Sequence, residues 1–285
     1  MRRIALLSDI HGNLEALEAV LRDVERQRPD MVVVLGDTIN YGPNPRACLE
    51  RVERTADIVL AGNHEKEAAA HDDEALEGDA REMLDWTLTQ LEGFHPWEKM
   101  REHILAAGEA SSRVRWRDLT FVHGSPRSPV HEYIWPGHPQ HHLHLNKQLD
   151  EWLLKLLKHS KTRHSFCGHT HVPALLTTYS EREIFPIDRS WNRSYTFVGP
   201  RTIFYVPEDN VTVEGISGSR MVINPGSVGQ PRDGNPLASW ALYEGHSIHF
   251  RRVAYDMSKT SAKIRDLPLS AGARDCFADR ILEGV

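Results

Sequence analysis

Five short strand-like runs in this chain each lead, within four residues, into aspartate, asparagine or histidine. Ile4–Leu7 leads into Asp9-Ile10-His11, Met31–Leu35 into Gly36-Asp37, and Ile58–Leu60 into Gly62-Asn63-His64-Glu65. Leu119–Val122 leads into His123-Gly124, and His164–Cys167 into Gly168-His169-Thr170-His171. Such runs, bounded by turn residues, read as buried strands. Between the first three, Leu14, Leu17, Leu21 and Val24 recur at helical spacing, and Pro43 and Pro45 precede Ala47, Leu49 and Val52. A β-α-β-α-β order predicts parallel strands joined by right-handed crossovers. In open α/β sheets, ligands bind beyond the carboxyl ends of the strands. Strands sharing a sheet would therefore bring all these polar groups to one edge, and the neighbouring glycines permit tight turns there.

The rest of the chain fits around that frame. Residues 66 to about 110 are rich in Glu, Ala, Leu and Asp, with Leu76, Met83, Trp86 and Leu91 at helical spacing. This reads as a helical insertion beside the sheet. Arg113–Trp116 adds a strand signal. A loop rich in Pro, His and Gly runs from Ser125 to Pro139, followed by an amphipathic helix carrying Leu145, Leu149, Trp152, Leu153, Leu156 and Leu157. Further strands are expected at Ala174–Thr178, Glu183–Ile187, Thr202–Val206, Met221–Ile223, Ser239–Tyr243 and Ser247–Val253, the last two as a hairpin. A short helix is expected near Lys263–Leu267. The expected organisation is one domain over residues 1–255, with residues 256–285 as a C-terminal extension packed on it.

Carboxylate, amide and imidazole together suit borderline divalent ions such as Mn, Fe, Co, Ni or Zn. Taken singly, Asp9 is a helix cap and Asp37 or Asn63 a turn residue. Taken with His11, His123, His169 and His171 they make seven candidate ligands, too many for one zinc. They suit two ions sharing a bridging carboxylate, which clamp the attacking and leaving oxygens of a phosphoryl displacement and ionise a water between them.

The ordered blocks Asp-x-His, Gly-Asp, Gly-Asn-His-Glu, His and Gly-His-Thr-His, spanning residues 4 to about 229, resemble the calcineurin-like metallophosphoesterase superfamily. The run Asn224-Pro225-Gly226-Ser227-Val228-Gly229-Gln230-Pro231-Arg232 is similar to its small bacterial and archaeal phosphodiesterase branch, as are His123-Gly124-Ser125-Pro126 and Glu132-Tyr133. The resemblance implies a mixed α/β fold, a four-layer β-sandwich of two mixed sheets flanked by helices. It implies that Asp9, His11 and His171 hold one metal, that Asn63, His123 and His169 hold a second, and that Asp37 bridges them. Manganese is the expected ion, with Fe, Ni, Co and Zn as alternatives. His64 is implied as the catalytic residue that contacts phosphate and protonates the leaving group. The expected activity is a phosphodiesterase or phosphatase acting on a phosphorylated small molecule or nucleotide. Hydrolysis of dinucleoside polyphosphates or phosphoproteins is the alternative within that chemistry, and a non-catalytic metal-binding scaffold is the alternative outside it. The presence of His64 favours the enzyme.

Other residues carry two readings each. Asn13 either touches substrate or caps the helix that follows it. Arg232 is either a phosphate ligand, because a guanidinium forks onto two oxygens, or an ordinary surface arginine. Tyr133 and Trp135 either stack on a base or pack at the rim. His138, His141, His142 and His144 read as a solvated loop in preference to a third metal site, and Cys167 as a buried structural thiol. The net charge of −6 argues against a duplex nucleic-acid partner, and no apolar stretch is long enough to span a membrane. Three cysteines without a CxxC pair point to a reducing cytoplasm.

Overall fold

Side chains of a strand alternate between its two faces, and β1 (Ile4–Leu7) buries both. Ile4 and Leu6 enter one apolar cluster, Ala5 and Leu7 another. This double burial requires layers on both sides. The structure, a computed structural model, describes residues 2–70, 77–135, 147–178, 195–198, 201–207 and 209–285.

Two sheets pack face to face. In the first, β1 pairs in parallel with β2 (Met31–Val34), which pairs in parallel with β3 (Ile58–Val59). The other edge of β1 takes β12 (Ala238–Tyr243) antiparallel, then β13 (Ser247–Val253) and β10 (Val211–Glu214). The second sheet runs β4 (Arg113–Trp116), β5 (Leu119–Val122), β6 (His164–Phe166), β11 (Met221–Pro225), β7 (Pro173–Thr178), β9 (Thr202–Val206) and β8 (Tyr195–Val198). Within it β5, β6 and β11 are parallel, and the other pairings are antiparallel. Both sheets are mixed.

Between the sheets lie Ile4, Leu6, Val33, Phe121, Phe166, Ile223 and Phe250. On the outer face of the first sheet, Leu17, Val20 and Val24 of α1 (Leu14–Gln27) and Val52 of α2 (Pro45–Thr55) pack on Leu7, Val34 and Trp240. Leu153, Leu156 and Leu157 of α6 (Lys147–His159) cover the outer face of the second, against Val122, Leu176 and Phe204. The architecture is the mixed α/β, four-layer sandwich expected.

The insertion folds as α3 (Asn63–Ala70), α4 (Gly78–Leu91) and α5 (His95–Ala107). At the chain end stand α7 (Met257–Arg265) and α8 (Ala271–Glu283). The short helix expected at Lys263–Leu267 is thus two helices, and α8 was not foreseen. Phe277, Ala278 and Ile281 of α8 share a cluster with Met83 of α4. Strands β8 and β10 were not anticipated either. The strand expected at Glu183–Ile187 and the histidines 138, 141, 142 and 144 lie outside the described residues. No helix among the described residues is long and apolar enough to cross a membrane.

Candidate metal centre

Parallel β1, β2, β5 and β6 end on one side of the sandwich, and there the chain turns sharply. Nine described non-glycine residues have positive φ, and five are candidate ligands: Asp9 (54°), His11 (48°), Asp37 (54°), His169 (63°) and His171 (61°). Such backbone is unfavourable by about 1–2 kcal/mol per residue, so its concentration here marks a site held in place by its surroundings. The turns also leave no room between them. A Cβ on Gly62 would lie 2.0 Å from Asp37 Oδ1, and one on Gly36 2.8 Å from His123 Nδ1.

The expected ligands come together in two groups. Asp9, His11, Asp37 and His171 present ligand atoms all within 4.8 Å of one another, as do Asp37, His123 and His169. Asn63 joins the second group, with its Oδ1 3.2 Å from His123 Nε2. Asp37 belongs to both. The side chains of all seven are buried.

The outward nitrogens of the rings are committed. Nδ1 of His11 faces the Ile39 carbonyl at 3.2 Å, that of His123 the Leu35 carbonyl at 2.9 Å, and that of His171 the Gln230 carbonyl at 2.6 Å. A carbonyl only accepts, so each Nδ1 carries the proton and a neutral ring offers a bare Nε2 inward. His11 Nε2 and His171 Nε2 then stand 3.1 Å apart with lone pairs facing. Asp37 Oδ2 and His169 Nε2 are buried without a hydrogen-bond partner. By contrast His164, also buried, is fully occupied by the Tyr243 hydroxyl and the Ile216 carbonyl.

The protein's own charges are unbalanced here. Burial holds His11 and His171 well below the usual histidine range and His169 at about 3. Burial opposes the charged form of Asp37 too, yet the His123, His64 and His11 rings hold its carboxyl well below the usual range. Burial, reinforced by the Asp37 charge, pushes Asp9 up to about 7. Burial works against the charged form of His123 too, but the Asp37 carboxylate outweighs it and pushes the ring up to about 9. Nitrogen and oxygen lone pairs converging in a dry pocket, several lacking a proton or partner, fit divalent cations.

His64 lies beside the two groups, its Nε2 4.0 Å from Asp37 Oδ2. Its Nδ1 meets the Asn40 amide nitrogen at 2.9 Å and Glu67 Oε2 at 3.4 Å. Tyr41 packs edge-on against His64 (centroids 4.5 Å) and stacks on Phe277 of α8 (5.0 Å). Arg232, half-buried, has its Nη2 on Gln230 Oε1 at 2.9 Å, and its charge depresses His171 and His11. Asn13 is buried at the start of α1. Its Oδ1 caps α1 at the Ala16 amide (3.1 Å) and its Nδ2 donates to the Gly229 carbonyl (2.9 Å), so it binds a helix to a loop. The loop over residues 224–229 is tied to the turn after β1, as Val228 and Gly229 donate to the Ser8 and Asp9 carbonyls.

Glu65, Asn40, Tyr41 and Glu67 were not singled out from the sequence. Glu65 is fully buried, and each carboxylate oxygen accepts two backbone amides. Oε2 takes those of Asp37 (2.9 Å) and Gly62 (2.7 Å), and Oε1 those of Thr38 (2.6 Å) and Ile39 (3.2 Å). One side chain thereby locks the turn after β2 to the turn after β3. Glu65→Gln replaces one acceptor oxygen by a donor facing amide protons. We expect it to lower stability by about 1–3 kcal/mol and to weaken Mn²⁺ binding by about 10–100-fold. Thermal melts and calorimetric titration of chelator-treated protein measure both; unchanged metal affinity in a folded variant would refute the assignment.

Residues 2–173 match the calcineurin-like phosphoesterase family. Over 266 residues the chain is 27% identical to the uncharacterized protein MJ0912 of Methanocaldococcus jannaschii, covering 92% of this chain and 91% of that protein. It is similar to the crystal structure of a metallophosphoesterase from Sphaerobacter thermophilus, with TM-score 0.72 and 32% identity over 100% of this chain and 99% of that one. It shares its fold with the hypothetical protein PH1004 of Pyrococcus horikoshii, with TM-score 0.65 and 17% identity over 97% and 98% of the two chains.

Proposed function

We propose that this chain, which belongs to the calcineurin-like phosphoesterase family and is a metal-dependent hydrolase of phosphate ester bonds, works through two divalent cations sharing Asp37 and acts as a phosphodiesterase or phosphatase on small phosphorylated molecules or nucleotides. The observation that carries the two-cation reading is the meeting of His11 Nε2 and His171 Nε2 at 3.1 Å, with both Nδ1 protons pledged to carbonyls. A second, separate set of inward donors on His123, Asn63 and His169 lies across Asp37. The mixed oxygen and nitrogen donors suit manganese, and iron, nickel, cobalt or zinc would be held by the same atoms.

When bound, such ions supply positive charge for phosphoryl oxygens and lower the pKa of water. The chain's own groups do the rest. Asp9, Asp37 and Asn63 fix the positions of that charge, and the Nδ1–carbonyl bonds fix the ring orientations. His64 carries the proton. Burial works against its charged form, but Asp37 and Glu67 outweigh burial and raise it above the usual histidine value. That direction favours the protonated ring, the form a general acid needs to serve the departing oxygen. Arg232 offers a guanidinium to phosphate from the first group's side. Cys48 and Cys167 are buried with their thiols pushed up by burial, so neither offers a thiolate nucleophile.

The test is a scan of chelator-treated protein with single divalent ions against chromogenic phosphate mono- and diesters. Hydrolysis is expected to vanish on chelation and return with Mn²⁺, with about two ions bound per chain at saturation. Hydrolysis that survives chelation, or saturates with one ion, would sink the two-cation reading.

A further inference from the structure

The loop from Ser125 to Ile134 is knit tightly to the centre. Gly124 and Ser125 donate to the Pro129 and Ser128 carbonyls (2.7 and 2.8 Å), and Ser125 and Arg127 both bind Glu132. The Ile134 amide donates to Thr170 Oγ1 at 3.1 Å, inside the Gly-His-Thr-His turn, and the Ile134 side chain is buried among Leu153, Phe204 and Val222. Tyr133 stands between these two anchors, 49% exposed, and is the only aromatic among the exposed large hydrophobic side chains of the described residues. One face of its ring stacks on His169, with centroids 4.0 Å apart and planes at 27°.

An aromatic ring left in water costs solvation free energy unless something covers it, and here the backbone on both sides is fixed. The ring is thus a preformed flat surface beside the phosphate-handling centre. Every nucleobase has a π-face that stacks on such a ring with little dependence on its identity.

We propose that Tyr133 is a specificity-determining residue and that the substrate is a nucleotide ester whose base stacks on its outer face. This rests on the phosphoesterase reading above. The experiment compares adenosine 5′-monophosphate with ribose 5-phosphate, which has the same phosphate and sugar and lacks the base. Binding and phosphate release are measured with Mn²⁺-loaded wild type, Tyr133→Ala and Tyr133→Phe, with manganese content determined for each. Wild type is expected to bind the nucleotide about tenfold more tightly. Tyr133→Ala is expected to erase that preference without altering ribose 5-phosphate binding or manganese content, and Tyr133→Phe to keep it. Equal affinities in wild type, or an equal loss for both ligands in Tyr133→Ala, overturn the proposal while leaving the phosphoesterase reading standing. If wild type neither binds nor hydrolyses either ligand, and the chromogenic esters also fail, both fall.

Discussion

Asp37→Asn is expected to abolish turnover while leaving the fold intact. Asparagine keeps the shape and keeps one oxygen, so the 3.1 Å bond from the His64 amide to Oδ1 survives. The Asp37 amide stays on Glu65 and its carbonyl still receives the His11 amide (2.9 Å). What is lost is the negative charge at Oδ2, which lies 3.4 Å from His123 Nε2 and 3.8 Å from His11 Nε2, between the two groups of ligands. A neutral amide cannot balance two cations. We expect metal content to fall from two ions per chain to one or none. Turnover should fall by about a thousandfold or more, because each lost 1.4 kcal/mol of transition-state stabilisation is a factor of ten and a metal supplies several. The chelated variant should melt within about 5 °C of wild type. Removing the Asp37 charge relieves Asp9 and Glu65, both raised by burial and further by that charge, and deprives His123 of its counter-charge, so the two effects oppose. Two ions retained with turnover within tenfold of wild type would show that Asp37 does not bridge.

The positions of the seven candidate ligands were legible because each follows a strand signal, and a strand end is a place that sequence can mark. That β1, β2 and β3 are parallel followed from the helical spacings between them. The division into two groups was not legible from spacing; it came from the resemblance, and the structure brings the same residues into two clusters around Asp37. Glu65 was visible as a letter of Gly-Asn-His-Glu, but its role was not. It acts on the backbone amides of residues 26 to 28 positions earlier, and no side-chain pattern records that. Asn40 and Tyr41 were hidden for a related reason. Both take positive φ (69° and 62°), a conformation that sequence assigns first to glycine. Helix α8 was missed because much of its buried face is alanine, with Phe277 and Ile281 as its large apolar residues. That helix nonetheless reaches the site, since Phe277 backs Tyr41 and Tyr41 backs His64.

His64→Ala is expected to separate metal binding from proton delivery. His64 contributes no atom to either ligand cluster, and its Nε2 is 4.0 Å from Asp37 Oδ2. The variant should therefore keep two ions per chain. Turnover should fall by about 10²–10⁴-fold, the usual contribution of a positioned general acid. The size of the loss should depend on the departing group. A p-nitrophenolate leaves readily without a proton, whereas an alkoxide does not, so the alkyl ester should suffer the larger fall. Asn40 and Glu67 both address Nδ1, which leaves Nε2 as the nitrogen facing the centre and the one that can hand over a proton. Comparing kcat for a p-nitrophenyl and an alkyl phosphate ester in wild type and His64→Ala reads this directly. Equal losses with metals retained would assign His64 to holding phosphate, and a loss of metals would assign it to the ligand set.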